Sequence, residues 1–163
     1  MQIALFGAAG KMGTRISAKL RHHPDYETLY VEAGAGALAR LHERDIEPTD
    51  GGLAAATADV LVLAVPDVFI GRVAARAVPL MRPGAMLICL DPAAPHSGDL
   101  PARADIAYFV THPCHPPIVN DETDPQARSL YTAVFLLGMN KARYDALPPD
   151  LRKVIDDNSG ATL

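Results

Sequence analysis

Cysteine is scarce in this chain of 163 residues: it has two, Cys89 and Cys114, too few for a disulfide framework. Cys89 lies in the apolar run Met86-Leu87-Ile88-Cys89-Leu90, as a small buried residue would. Cys114 sits in a proline-rich loop beside two histidines, and no disulfide between the two cysteines is expected. A basic excess is also missing. Fifteen Lys and Arg face 19 Asp and Glu, and the net charge of −4 offers no basic surface for nucleic acid. No apolar run approaches the length that spans a bilayer, so no membrane partner is expected. No basic, apolar leader precedes the first strand at Gln2, and the expectation is a cytoplasmic protein. Hydrophobic residues at 49% and charged residues at 21% suit a globular protein and argue against wholesale disorder. The length gives room for one domain with a small appendage, not for a complete two-domain dehydrogenase.

What the chain does have is a glycine turn. Gln2 to Phe6 is a short apolar run that could be buried on both faces, as parallel strands are. It leads into Gly7-Ala8-Ala9-Gly10-Lys11-Met12-Gly13. Gly7 permits a sharp turn, Gly10 lets backbone N–H groups approach a pyrophosphate, and Gly13 permits close helix–strand packing. A helix follows, with Met12, Ile16 and Leu20 at four-residue steps, and its start offers N–H donors to an anion. Lys11 suits a phosphate contact and an exposed helical position equally. The next strand, Thr28 to Val31, ends at Glu32, about twenty residues beyond the glycines, where a carboxylate accepts from the ribose hydroxyls. That carboxylate repels a 2′-phosphate, and no Arg or Lys follows it until Arg40, so NAD is expected over NADP. The competing reading of these residues is a plain strand–turn–helix.

The rest of the chain alternates in the same way. A modest helical stretch carries Leu38 and Leu41, and Pro48 to Gly52 breaks the chain. Ala58 to Val65 reads as a buried strand ended by Pro66-Asp67. A helix follows with Phe69, Ile70, Val73, Ala74 and Ala77 on one face, and Pro83-Gly84 punctuates it. Ala85 to Leu90 and Ile106 to Val110 supply two further strands, ending at Asp91-Pro92 and Thr111-His112. This pattern predicts an α/β fold of Rossmann type: a doubly wound parallel sheet with right-handed crossovers and helices on both faces. The segments starting at Gly7, Glu32, Val65, Asp91 and His112 should then converge on one crevice beyond the strand ends.

GAAGKMG at 7 to 13, LAVPD at 63 to 67 and THPCHPPIVNDET at 111 to 123 resemble NAD-dependent dehydrogenases related to 6-phosphogluconate dehydrogenase, specifically the D-apionate oxidoisomerase branch. The resemblance covers residues 1 to about 127. It implies oxidation of a branched sugar acid coupled to rearrangement of its carbon skeleton. It also implies pyrophosphate on the Gly7 to Met12 turn, adenosine ribose near Glu32, the nicotinamide side near Ala64, Val65, Pro66 and Asp91, and His112 facing the substrate. Family members continue into a helical domain that completes the substrate pocket and usually the dimer, which leaves a homodimer open here. Residues 130 to 162 instead resemble the C-terminal part of TRAP-transporter solute-binding proteins. The expected organisation is an NAD-binding domain at 1–120, a linker at 121–129 and a strand/helix appendage at 130–163, with an enzyme incomplete on its own. In the appendage Tyr131 to Leu137 is strand-like, while Leu151, Val154 and Ile155 form a stripe on a helix with Pro149 in its first turn.

His112 and His115 are the candidate catalytic residues. An imidazole near its own pKa can accept a hydroxyl proton as hydride leaves for the nicotinamide, and His112 stands nearer the strand. With Cys114 they invite a metal reading, but three such residues within four positions rarely converge on one ion, so none is assigned. Asp67 suits a helix cap, while Asp91 stays open between a cap and a functional carboxylate. His22-His23 close the first helix on the surface. Rival functions are a reductase or dehydrogenase similar to dihydrodipicolinate reductase or prephenate dehydrogenase, and a binding module for organic acids suggested by the tail.

Overall fold

The computed structural model describes residues 1–112 and, beyond them, Asp145, Pro149, Arg152 and Lys153. The chain divides into two compact units, Met1–Pro113 and Cys114–Leu163. In the second unit the four described residues are helical. Cys114, His115, the 121–129 linker, the 131–137 strand and the stripe of Leu151, Val154 and Ile155 lie outside the described residues.

The first unit runs β1 (Gln2–Phe6), α1 (Lys11–Leu20), β2 (Glu27–Val31), α2 (Ala35–His42), α3 (Gly51–Thr57), β3 (Val60–Leu63), α4 (Asp67–Ala77), a 3-10 turn (Val78–Leu80), β4 (Met86–Cys89), α5 (Ala93–Ser97) and β5 (Ala107–Val110). All five strands are parallel, in the order β2-β1-β3-β4-β5. The chain builds leftward from β1 to β2, then crosses back and builds rightward from β3, so the order reverses between β1 and β3. This is the position at which open α/β sheets bind ligands.

Alternation along the strands makes the two faces. Ile3, Leu5 and Val62 point to one side and pack with Ile16 and Leu20 of α1 and Leu41 of α2. Ala4, Phe6, Leu61, Leu63, Leu87 and Cys89 point to the other, against Ala54 and Ala55 of α3 and Ile70, Ala74 and Ala77 of α4. Both faces are covered, which is why the strands read as near-continuous apolar runs.

The structure departs from the sequence reading in three places. The break expected at 48 to 52 contains the start of a helix: Asp50 is its N-cap and accepts from the Leu53 N–H at 2.9 Å. Phe69 lies off the core face of α4, 41% exposed, with the Arg72 guanidinium 4.6 Å from its ring centre. On α1 the fully seated residues are the small ones, Gly13 and Ser17. The Ser17 hydroxyl donates to the Thr14 carbonyl and accepts from Arg44, whose guanidinium also reaches Thr14. Arg21 donates in turn to the carbonyls of Arg44 and Asp45. These bonds lash α1 to the end of α2. Among the described residues no helix is long and apolar enough to cross a membrane.

Candidate functional site: the carboxyl edge of the sheet

Strand register builds the site. Phe6 pairs with both Val31 and Leu63, Leu63 pairs with Cys89, and Cys89 pairs with Val110. The last residues of all five strands therefore stand in one row. The segments that follow leave from one edge; Gly7, Glu32 and Val65 line one cleft there, whereas Asp91 and His112 are not among its lining residues.

At the centre of the row is the glycine turn. Gly7 takes φ +80°, a left-handed conformation that costs glycine little. A Cβ on it would lie 2.5 Å from the Ala64 carbonyl oxygen, so the β3 backbone closes directly on the turn. At Gly13 a Cβ would collide with the Gly7 oxygen and lie 2.7 Å from Ala8 Cα, so only glycine lets α1 sit this close to the strand. Gly7 donates to the Val31 carbonyl at 3.0 Å, and Gly10 donates back to Gly7 at 3.0 Å. α1 begins at Lys11 with no side-chain cap and no acidic residue in its first turn, which suits an anion at its N-terminus. Ala8 and Ala9 are buried, whereas Lys11 is exposed and Met12 half-buried.

Glu32 follows β2 directly. One carboxylate oxygen accepts from the Ala9 N–H at 2.5 Å and the other from the Ala33 N–H at 3.2 Å. The side chain is thus pinned against the glycine turn. Beside it opens a cleft of about 390 Å³, floored by Phe6, Val31, Val65, Val73, Ala77 and Leu80, with Glu32, Asp50 and Arg76 among its polar lining. Its size is within the range of small-molecule sites. The helix missed from sequence, α3, contributes Gly51 and Gly52 to this wall.

Further along the row, Thr111 donates to the Cys89 carbonyl at 2.9 Å, which extends the β4–β5 pairing past the strands. Asp91 and His112 each lie two residues beyond a paired strand end. His112 Nε2 stands 3.5 Å from Asp91 Oδ2. The other oxygen of Asp91 accepts from the Ala93 N–H at 2.7 Å and so ties the start of α5. Asp67 is the first residue of α4, where its charge complements the helix dipole. Burial, reinforced by the Asp91 carboxylate, pushes the Cys89 thiol up to about 11.

The two structures built here, a reversed-order parallel sheet and a glycine turn with an acidic residue after β2, define a Rossmann-type fold. Within that class, the chain is similar to D-apionate oxidoisomerase. It is 50% identical to the protein of that name from Cupriavidus necator, over 80% of this chain and 47% of the relative. It is likewise 50% identical to the one from Rhizobium rhizogenes, over 77% of this chain and 46% of the relative. The crystal structure of a semialdehyde dehydrogenase NAD-binding protein from Cupriavidus necator, in complex with calcium and NAD, superposes with a TM-score of 0.67 at 50% identity. That match covers 78% of this chain and 46% of the other. The chain thus spans about half the length of the curated relatives it matches. No protein-family model matches it.

Proposed function

We propose that this chain binds NAD along the carboxyl edge of its sheet and forms the dinucleotide half of an oxidoreductase acting on a branched sugar acid. The observation that carries the reading is the Glu32 carboxylate, pinned by Ala9 and Ala33 between the glycine turn and the apolar cleft. The residues present fit the cofactor. The cleft suits the adenine ring, Glu32 the ribose hydroxyls, and the Gly7 to Gly13 turn with the α1 N-terminus the pyrophosphate. Ala64, Val65 and Pro66 flank the nicotinamide side. The resemblance to D-apionate oxidoisomerases, and to a protein solved with NAD, supports the same assignment.

NAD, when bound, supplies the hydride acceptor. The chain supplies the proton acceptor: His112 takes the hydroxyl proton of the sugar acid as the carbon–hydrogen bond is oxidised to a carbonyl. His115, three positions further along the sequence, is a second candidate for contact with the acid.

Calorimetric titration tests the cofactor assignment. A 2′-phosphate would bring negative charge against the Glu32 carboxylate, so NAD should bind at least about tenfold more tightly than NADP, or roughly 1.4 kcal/mol. Equal or tighter binding of NADP would show that Glu32 does not meet the ribose.

A further inference from the structure

We propose that Asp50 reads the base of the dinucleotide. Its second carboxylate oxygen accepts from the 6-amino group of a purine seated in the cleft, and so selects adenine over a 6-oxo purine. This rests on the NAD reading above, which leaves open what in the cleft distinguishes one base from another.

A flat ring needs a flat wall, and α3 supplies one from bare backbone. Gly51 and Gly52 line the cleft, and neither has a positive φ, so backbone conformation does not call for glycine at either position. Glycine also weakens a helix, so its presence twice in one turn has to be explained by space. A Cβ on Gly51 would stand 3.2 Å from Val31 Cγ1 and 3.5 Å from Phe6 Cε1, both on the cleft floor. One on Gly52 would stand 3.2 Å from Asp50 Oδ1 and 3.7 Å from Leu80 Cδ1. The two bare positions keep the wall open between the apolar floor and Asp50.

The Thr49 N–H donates to the Tyr30 carbonyl at 2.7 Å, which holds the start of α3 beside β2, two residues short of Glu32. At the rise of a strand that is about 7 Å, the scale of a purine from its sugar to its 6-substituent. A ribose at Glu32 therefore sends the far edge of its base toward Asp50. The charged side chains that line the cleft are Glu32, Asp50 and Arg76. Arg76 can only donate, so it cannot receive an amino group. Glu32 has one oxygen on the Ala9 N–H and the other on the Ala33 N–H, and its place is at the ribose. Asp50 commits only Oδ1, to the Leu53 N–H at 2.9 Å, and its carboxylate takes no other hydrogen bond or ion pair among the described residues. Oδ2 is left as the side-chain acceptor for an N–H on the ligand. An amino group at position 6 satisfies it, whereas a 6-oxo group sets oxygen against oxygen.

Asp50→Asn turns this acceptor into a donor without removing the helix cap. The amide oxygen keeps the bond from the Leu53 N–H, and the NH2 is left for the base. Calorimetric titration of the full chain, wild type and Asp50→Asn, with NAD and with nicotinamide hypoxanthine dinucleotide, which carries oxygen at position 6, reads the selection directly. The wild type should bind NAD about tenfold more tightly than the hypoxanthine analogue, the effect of one hydrogen bond to a charged group. In Asp50→Asn that ratio should fall to about one or invert, with the thermal transition close to wild type. The preference for NAD over NADP, which Glu32 sets, should persist in the variant. Equal binding of the two dinucleotides by the wild type, or the same ratio in both proteins, would overturn the proposal and leave the NAD reading standing. Binding of neither dinucleotide by the wild type would strike the NAD reading, and this proposal with it.

Discussion

Cys89 shows how a single side chain ties the carboxyl edge to pH. It is 1% exposed at the end of β4, and its thiol is raised from 9.0 to about 11 by burial and then by the Asp91 charge. The folded protein therefore holds this proton when the unfolded chain has already released it. Stability from this group is complete below pH 9.0 and is lost as pH rises toward about 11. Urea unfolding across that interval should show the wild type losing on the order of 2 kcal/mol more than Cys89→Ala, whose alanine cannot titrate. Cys114 contributes equally to both proteins and cancels. Parallel losses in the two would show that water reaches the thiol.

At the scale of the element, α3 stands apart. Its sequence, Gly51-Gly52-Leu53-Ala54-Ala55-Ala56-Thr57, has two glycines in the first turn and no amphipathic stripe, so propensity and periodicity both argue against it. What makes it a helix is tertiary: Ala54 and Ala55 are fully buried against the sheet, and Asp50 caps the open N-terminus. Asp50→Ala should cost about 1 kcal/mol, while Asp50→Asn, which also caps, should stay within a few tenths of wild type. Chemical denaturation of both variants decides it. An alanine variant as stable as the wild type would show that packing alone holds the helix. By contrast, β1, α1 and the glycine turn are legible in the sequence, because a missing Cβ is itself the information: Gly13 is glycine since a side chain would strike Gly7 and Ala8. Glu32 is legible for a similar reason, standing at the end of a recognisable strand. The Asp91–His112 contact is hidden, because twenty-one positions separate the two and only the pairing of β4 with β5 brings them together. The Arg44–Ser17 clasp is hidden in the same way, since a serine on an amphipathic helix gives no sign of the arginine that will meet it.

The whole unit converts a one-dimensional alternation into a directional surface. Parallel strands in one register send every strand end to the same edge, and the reversal of order between β1 and β3 opens that edge into a crevice. The opposite edge is closed by different means: the Gln2 N–H donates to Asp59, Asp59 pairs with Arg82, and Gly84 donates to the Asp105 carbonyl at 2.7 Å. A ligand bound as proposed would touch only the first edge, and a bound ligand stabilises what it orders. Hydrogen–deuterium exchange with saturating NAD should therefore slow at residues 7 to 13, 32 to 34 and 64 to 66, three segments distant in sequence. Exchange at residues 57 to 59 and 82 to 85 on the far edge should change by much less. Protection confined to one of the three segments would mean that they do not share a ligand. Protection centred on the far edge would place the nucleotide on the wrong side of the sheet and remove the role assigned to the glycine turn.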